Sequence, residues 1–114
     1  MTTRELDLLQ GTLDVLVLRA LSWSPMHGYG VARFIRQGST GSFKVLDGAL
    51  YTSLHRMEER QLIAAEWGVT KNGRRARYYR LTTSGRAHLR AESERLVDHF
   101  DALTTVLAAR KTTA

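Results

Sequence analysis

Between Lys71 and Arg80 the sequence sets five cations, Lys71, Arg74, Arg75, Arg77 and Arg80, with no acidic residue among them. Guanidinium and ammonium groups on a tight turn can reach a phosphate backbone without ordering a long loop. The same charges would also suit a solvated edge hairpin, where they block edge-to-edge strand pairing. Upstream, Thr52 and His55 fall on the face of a short helix opposite its apolar stripe, flanked by Tyr51 and Arg56. Side chains of these types can contact base edges or phosphates. The histidines, His27, His55, His88 and His99, form no i,i+3 or i,i+4 pair, and the chain has no cysteine, so no metal site is expected. Gly28-Tyr29-Gly30 lacks the third glycine of a dinucleotide loop, and no Gly-Lys phosphate cradle or nucleophile motif is present. An enzyme and a bound cofactor are therefore not expected.

The elements that must position these groups follow from period and punctuation. Leu6, Leu9, Leu13, Leu16, Val17, Ala20 and Leu21 recur at helical spacing. That helix starts either at a Thr2–Glu5 capping pair or at Gly11-Thr12 and stops before Ser24-Pro25. A second short helix spans Tyr29 to Gln37, Gly38 to Gly41 forms a loop, and Phe43-Lys44-Val45 reads as a brief strand. Asp47 serves as N-cap of a third helix whose stripe is Leu50, Leu54 and Met57. A hairpin follows: Ile63 to Val69, an Asn-Gly turn within Lys71 to Arg74, and a return from Arg77 to Leu81. Of Tyr78 and Tyr79 one must face the core and the other out, while Trp67 packs under the hairpin and Trp23 closes the first helix. Thr82-Thr83-Ser84 caps a last helix running to about Arg110. Its seam, Leu89, Leu96, Phe100, Leu103 and Leu107 with Ser93 in the gap, is heptad-like and suited to another helix.

Size and composition agree with one small folded unit. The chain has 114 residues, 43% of them hydrophobic and 25% charged, with a net charge of +6. That excess favours an anionic partner and says nothing about fold. The apolar run Val15 to Leu18 is far short of the roughly 20 residues that span a membrane, and Met1 to Glu5 lacks the order of a signal peptide. A cytoplasmic protein with no membrane partner is the expectation. Three helices followed by a basic hairpin read as a winged helix-turn-helix, mainly α with a small β-hairpin, plus a long C-terminal helix suited to packing against another. The expected division is a nucleic-acid-binding part at 1–82 and this C-terminal helix at 83–114. A protein-interaction module using the heptad-like seam, without specific DNA binding, is the alternative; an RNA-binding winged helix is a third reading.

A set of ordered motifs adds a resemblance. Gly11-Thr12-Leu13-Asp14, His27-Gly28-Tyr29-Gly30-Val31, Ala49-Leu50-Tyr51 and Arg56-Met57-Glu58 are followed by Leu62-Ile63 and Glu66-Trp67-Gly68. Gly73-Arg74-Arg75-Ala76-Arg77-Tyr78-Tyr79-Arg80-Leu81-Thr82 and Ser84-Gly85-Arg86 complete the order. Over about residues 6–90 the chain resembles the PadR family of transcriptional regulators. Thr52 stands where that family often has proline, and Gln61 where it commonly has glycine. The resemblance implies a dimeric winged-helix repressor on inverted-repeat operators, of the short-tailed branch with a single C-terminal helix. It implies that this helix docks across the dimer through Leu89, Leu96, Phe100, Leu103 and Leu107. Tyr51, Thr52, His55 and Arg56 would face double-stranded DNA from the third helix. Lys71, Asn72, Arg74, Arg75 and Arg77 would touch backbone from the wing, with Gly73 permitting the turn. Relatives respond to phenolic or drug-like aromatics, and Trp67, Leu96 and Phe100 are the matching candidates for an effector pocket.

Overall fold

The computed structural model describes residues 11–111. Its elements are α1 (Thr12–Trp23), β1 (Met26–His27), α2 (Gly28–Gly38), α3 (Asp47–Glu59), β2 (Ile63–Val69), β3 (Arg75–Leu81) and α4 (Thr83–Ala108). Helix α1 is the centre of the core. It packs against α2, α3, β3 and α4, and Val17, Leu18 and Ala20 are wholly buried. A helix enclosed on so many sides must be apolar nearly all round, which is how α1 reads. It begins after Gly11, in the left-handed region at φ 88°, and ends where Ser24 turns extended ahead of Pro25. The Thr2–Glu5 start and the Leu6 and Leu9 positions lie outside the described residues.

Two features were absent from the sequence expectation. Met26 and His27 form a two-residue strand on β3, pairing Met26 with Tyr79 and His27 with Tyr78, so the sheet runs β1-β3-β2. His27 then caps α2, its Nδ1 accepting from the Gly30 amide at 3.0 Å. Two expectations are corrected. Phe43 to Val45 makes only an isolated backbone pairing at Phe43. The N-cap of α3 is Leu46, so Asp47 is the first helical residue and its carboxylate sits at the positive end of the helix dipole.

The C-terminal end of α3 shows what replaces glycine. The Leu62 amide donates to Met57 O and the Gln61 amide to Glu58 O, both at 3.0 Å, the two bonds of a Schellman turn. The residue it forces left-handed is Gln61, at φ 61°. The start of α4 is built on the same turn. Thr82 Oγ1 donates to Gln61 O at 2.7 Å and accepts from the Gly85 amide at 3.0 Å. Gly85 is obligatory there, because a Cβ would lie 1.9 Å from the Leu62 carbonyl oxygen.

In the hairpin, Ile63 opposes Leu81, Ala65 opposes Tyr79 and Trp67 opposes Arg77. Opposed residues share a face, so the core face at the base continues into Trp67, Arg77, Val69 and Arg75 toward the tip. Tyr79 is buried and Tyr78 half-buried on the other face. The tip is not a two-residue Asn-Gly turn, which would need positive φ at both Asn72 and Gly73. Only Gly73 has it, at 76°. Gly73 N donates to Thr70 O and Thr70 N to Arg74 O, closing a three-residue loop, Lys71 to Gly73. Strand β3 consequently begins at Arg75, two residues before the expected Arg77.

Replacing Gln61 with Gly is expected to raise stability by about 0.5–1 kcal/mol, removing left-handed strain at a modest entropic cost. Gly85→Ala is expected to lose at least about 2 kcal/mol, because backbone must move. Urea unfolding followed by circular dichroism reads both; a Gly85→Ala chain as stable as wild type would contradict the packing at Leu62.

Candidate nucleic-acid interface

The outward face of α3 carries Gly48, Thr52 and His55, all exposed. Thr52 is the sixth residue of α3 and lies in its second turn. His55 Nε2 lies 3.1 Å from Glu59 Oε1 one turn on, both side chains well exposed. Tyr51 leans from this face over the start of α2. A Cβ on Gly28 would be 2.9 Å from the Tyr51 hydroxyl, so the glycine of His27-Gly28-Tyr29 is what lets the two helices meet. Tyr29 and Arg33, one turn apart on α2, are exposed beside it. The sequence reading did not single them out, although their i,i+4 spacing on the polar side of a short helix was available.

Arg56 occupies a different place. Its Nη2 donates to both carboxylate oxygens of Asp14, at 2.6 and 2.7 Å, and Ser53 Oγ donates to Asp14 Oδ1 at 2.5 Å. Hydrogen bonding to Asp14, then its charge, pushes the Arg56 pKa further above the ordinary value for a guanidinium. Ser53 is only 1% exposed and would be stranded without this acceptor. Arg56 therefore ties α3 to α1 while its side chain stays half exposed beside Thr52.

The wing sorts its cations in the same way. Arg77 Nη2 is 2.7 Å from Glu58 Oε2, which fastens the hairpin to α3. The Arg75 guanidinium lies 4.6 Å from the centre of the Trp67 ring. Trp67 is 60% exposed, so it does not pack under the hairpin; it forms a platform for Arg75. The side chains of Lys71, Asn72 and Arg74 are exposed and make no hydrogen bond or ion pair among the described residues. Tyr78 lies across Gly68, where a Cβ would come within 2.7 Å of its ring, and meets His27 edge-on at 5.4 Å.

Together these groups border a groove of about 1060 Å³ between the start of α2, Tyr51 and the hairpin. Arg33, Lys71, Arg74, Arg75 and Arg77 line it and no carboxylate does, so the charges on its lining are all positive. Trp67 belongs to this groove, whereas Leu96 packs against the core from α4 and Phe100 is half-buried beside His99. Of the three expected effector-pocket residues only Trp67 lines this groove. Along the C-terminal seam Leu89 is buried in its own core and Leu96 partly so, while Leu103 and Leu107 are exposed. Leu89 thus contributes mostly to the core of its own chain. Among the described residues no cluster of three or more His, Cys, Asp or Glu could hold a metal ion, and no helix is long and apolar enough to cross a membrane.

Residues 17–91, which contain every group of this surface, match the model of the transcriptional regulator PadR-like family. The chain belongs to that family. It is a DNA-binding transcriptional regulator of winged-helix fold. A PadR family regulator of Clostridium difficile is similar over 86% of this chain and all of its own, at 26% identity and TM-score 0.74. One from Eggerthella lenta is similar over 89% of this chain and 86% of its own, at 27% identity and TM-score 0.74. A PadR-like regulator of Bacillus cereus shares the fold at TM-score 0.76 and 22% identity, over 90% of this chain and 97% of its own. A protein of Lysinibacillus sphaericus, described only as uncharacterized, is 30% identical over 100 residues, 82% of this chain and 92% of its own. In this PadR-like chain the Asp14 pin decides which face of α3 is free.

Asp14→Ala leaves the buried Ser53 hydroxyl without an acceptor and should cost about 1–3 kcal/mol of stability. Asp14→Ala with Ser53→Ala should recover part of that loss, a coupling visible in a double-mutant cycle of urea midpoints. Strictly additive losses would show that the hydroxyl has another acceptor.

Proposed function

We propose that the protein is a dimeric repressor acting in the cytoplasm on an inverted-repeat operator. Two chains associate through α4 and present their α3 helices to successive major grooves, about one helical turn apart. Thr52 and His55 meet base edges, with Tyr51 at the margin. Lys71, Asn72, Arg74 and Arg75 neutralise phosphates from the wing. Arg56 and Arg77, already held by Asp14 and Glu58, orient α3 and the wing. In this reading residues 1–82 carry DNA binding and 83–114 carry association. An aromatic small molecule that relieves repression would act where Leu96 and Phe100 lie on α4, while Trp67 serves the wing.

The supporting observation is the segregation of charge. Lys71 and Arg74, whose side chains have no hydrogen-bond or ion-pair partner among the described residues, extend beside the exposed outward face of α3. Fluorescence anisotropy with duplex from upstream of the protein's own gene, with scrambled duplex as competitor, tests the reading. Binding that scrambled DNA cannot displace supports an operator there; equal displacement by both would leave only the electrostatic component.

Replacing Arg74 and Arg75 with Ala should weaken binding to operator and scrambled duplex alike. It should also flatten the plot of log affinity against log salt by about 1.8, near 0.9 for each phosphate no longer neutralised. Thr52→Ala with His55→Ala should instead reduce the operator-to-scrambled ratio by about 10–100-fold, leaving the salt slope nearly unchanged. A salt slope untouched by the arginine pair would remove the wing from the interface.

A further inference from the structure

Five aromatic rings line the groove between the start of α2 and the hairpin, and they come from five different elements. His27 stands on β1, Tyr29 on α2, Tyr51 on α3, Trp67 on β2 and Tyr78 on β3. No spacing along the chain joins them; the fold does. The His27 ring lies 6.3 Å from that of Tyr29, tilted by 37°, and 5.4 Å from that of Tyr78, edge-on. Tyr51 closes on the same place, its hydroxyl set against Gly28. Trp67 sits nearer the tip of the hairpin, with the Arg75 guanidinium 4.6 Å from its ring centre. The groove is open because β1 is short. It pairs only with Tyr78 and Tyr79, which leaves the edge of β3 at Arg75 to Arg77 uncovered.

These rings exceed what a core or a duplex requires. Tyr29, Tyr51 and Trp67 are 73%, 53% and 60% exposed, so the core does not hold them. A duplex meets a protein through its phosphates and the edges of its bases, and keeps the base faces stacked inside. Cations and hydroxyls answer such a surface; ring faces do not. An unpaired strand differs, because each base offers a flat face that stacks on an aromatic ring whatever its sequence. Guanidinium planes stack on bases as well, so Arg75 extends the Trp67 platform. Arg33 on one bank and Lys71 and Arg74 on the other are exposed. None has a hydrogen-bond or ion-pair partner among the described residues, which leaves all three for a polyanionic backbone.

We propose that this groove is a binding site for a single strand of nucleic acid. Its bases stack along Tyr29, Tyr51, Tyr78 and the Trp67–Arg75 platform, and its phosphates meet Arg33, Lys71 and Arg74. The activity is distinct from the reading of an operator by the outward face of α3, and it requires no second chain, since one chain carries the whole groove. The two activities share the wing, so a bound strand competes with duplex for Lys71 and Arg74.

Fluorescence anisotropy on the full chain tests the site with oligodeoxythymidylate of about 12 nucleotides, an abasic chain of the same length and the upstream duplex. Thymidylate should bind at least tenfold tighter than the abasic chain, which carries the same phosphates and no bases. Oligouridylate in a parallel titration names the strand as RNA or DNA by which binds tighter, and both outcomes keep the site. Trp23→Phe leaves Trp67 as the only tryptophan, and thymidylate should quench its fluorescence where the abasic chain does not. Tyr29→Leu, at an exposed position, should weaken thymidylate at least fivefold and the abasic chain hardly, with the circular dichroism spectrum unchanged. Equal affinity for thymidylate and the abasic chain, or thymidylate bound without quenching of Trp67, would overturn the site. Duplex bound alongside that result would leave the operator reading standing. Thymidylate bound where no duplex binds would remove the operator reading and keep this site.

Discussion

Asp14 is the acceptor on which the arrangement of α3 depends. It is the one carboxylate on α1, and it faces the side of that helix that α3 covers. By taking Ser53 and Arg56 together it fixes the rotation of α3 about its own axis. The apolar stripe Leu50, Leu54 and Met57 sets that rotation coarsely through burial, and the Asp14 bonds set it finely. Thr52 and His55 point outward because both conditions are met at once.

The cations of this chain divide by what surrounds them. Arg77 and Glu58 form a partly exposed pair, and pairs of this kind are worth about 0–1 kcal/mol. Its consequence is positional: it sets the distance between the wing and α3. The stack of Arg75 on Trp67, about 0.5–1 kcal/mol at an exposed site, similarly narrows the rotamers of a group that would otherwise sweep freely. Lys71 and Arg74 have neither restraint and sit at the tip of a three-residue loop. The wing therefore carries restrained cations, Arg77 and Arg75, along β3 and unrestrained ones at its tip, all lining one groove.

Much of this was legible in the sequence. The Leu50, Leu54 and Met57 stripe predicts α3 and its outward face, and the hairpin pattern predicts β2 to the residue. The ordered motifs identify the family and with it the winged helix. What escaped had no periodic signal to carry it. A two-residue strand such as Met26–His27 is too short to show alternation, and it exists only because β3 presents a free edge. The partners of Arg56 and Arg77 are 42 and 19 residues away, so local spacing describes the arginines correctly as polar and helix-flanking without revealing what they touch. Trp67 looks like core by composition, yet its register opposite Arg77 carries it past the end of the core.

The seat of α4 has a mechanical consequence. Gly85 lies directly against the backbone carbonyl of Leu62, in the turn that ends α3, with no side chain between them to absorb displacement. The remaining length of α4, from Gly85 to Ala108, is about 35 Å at 1.5 Å per residue. A tilt of 5° about that seat moves the far end by about 3 Å. Read in the other direction, a modest force at the far end arrives at the end of α3 multiplied by a long arm. The helix is a lever whose fulcrum is the last turn of α3.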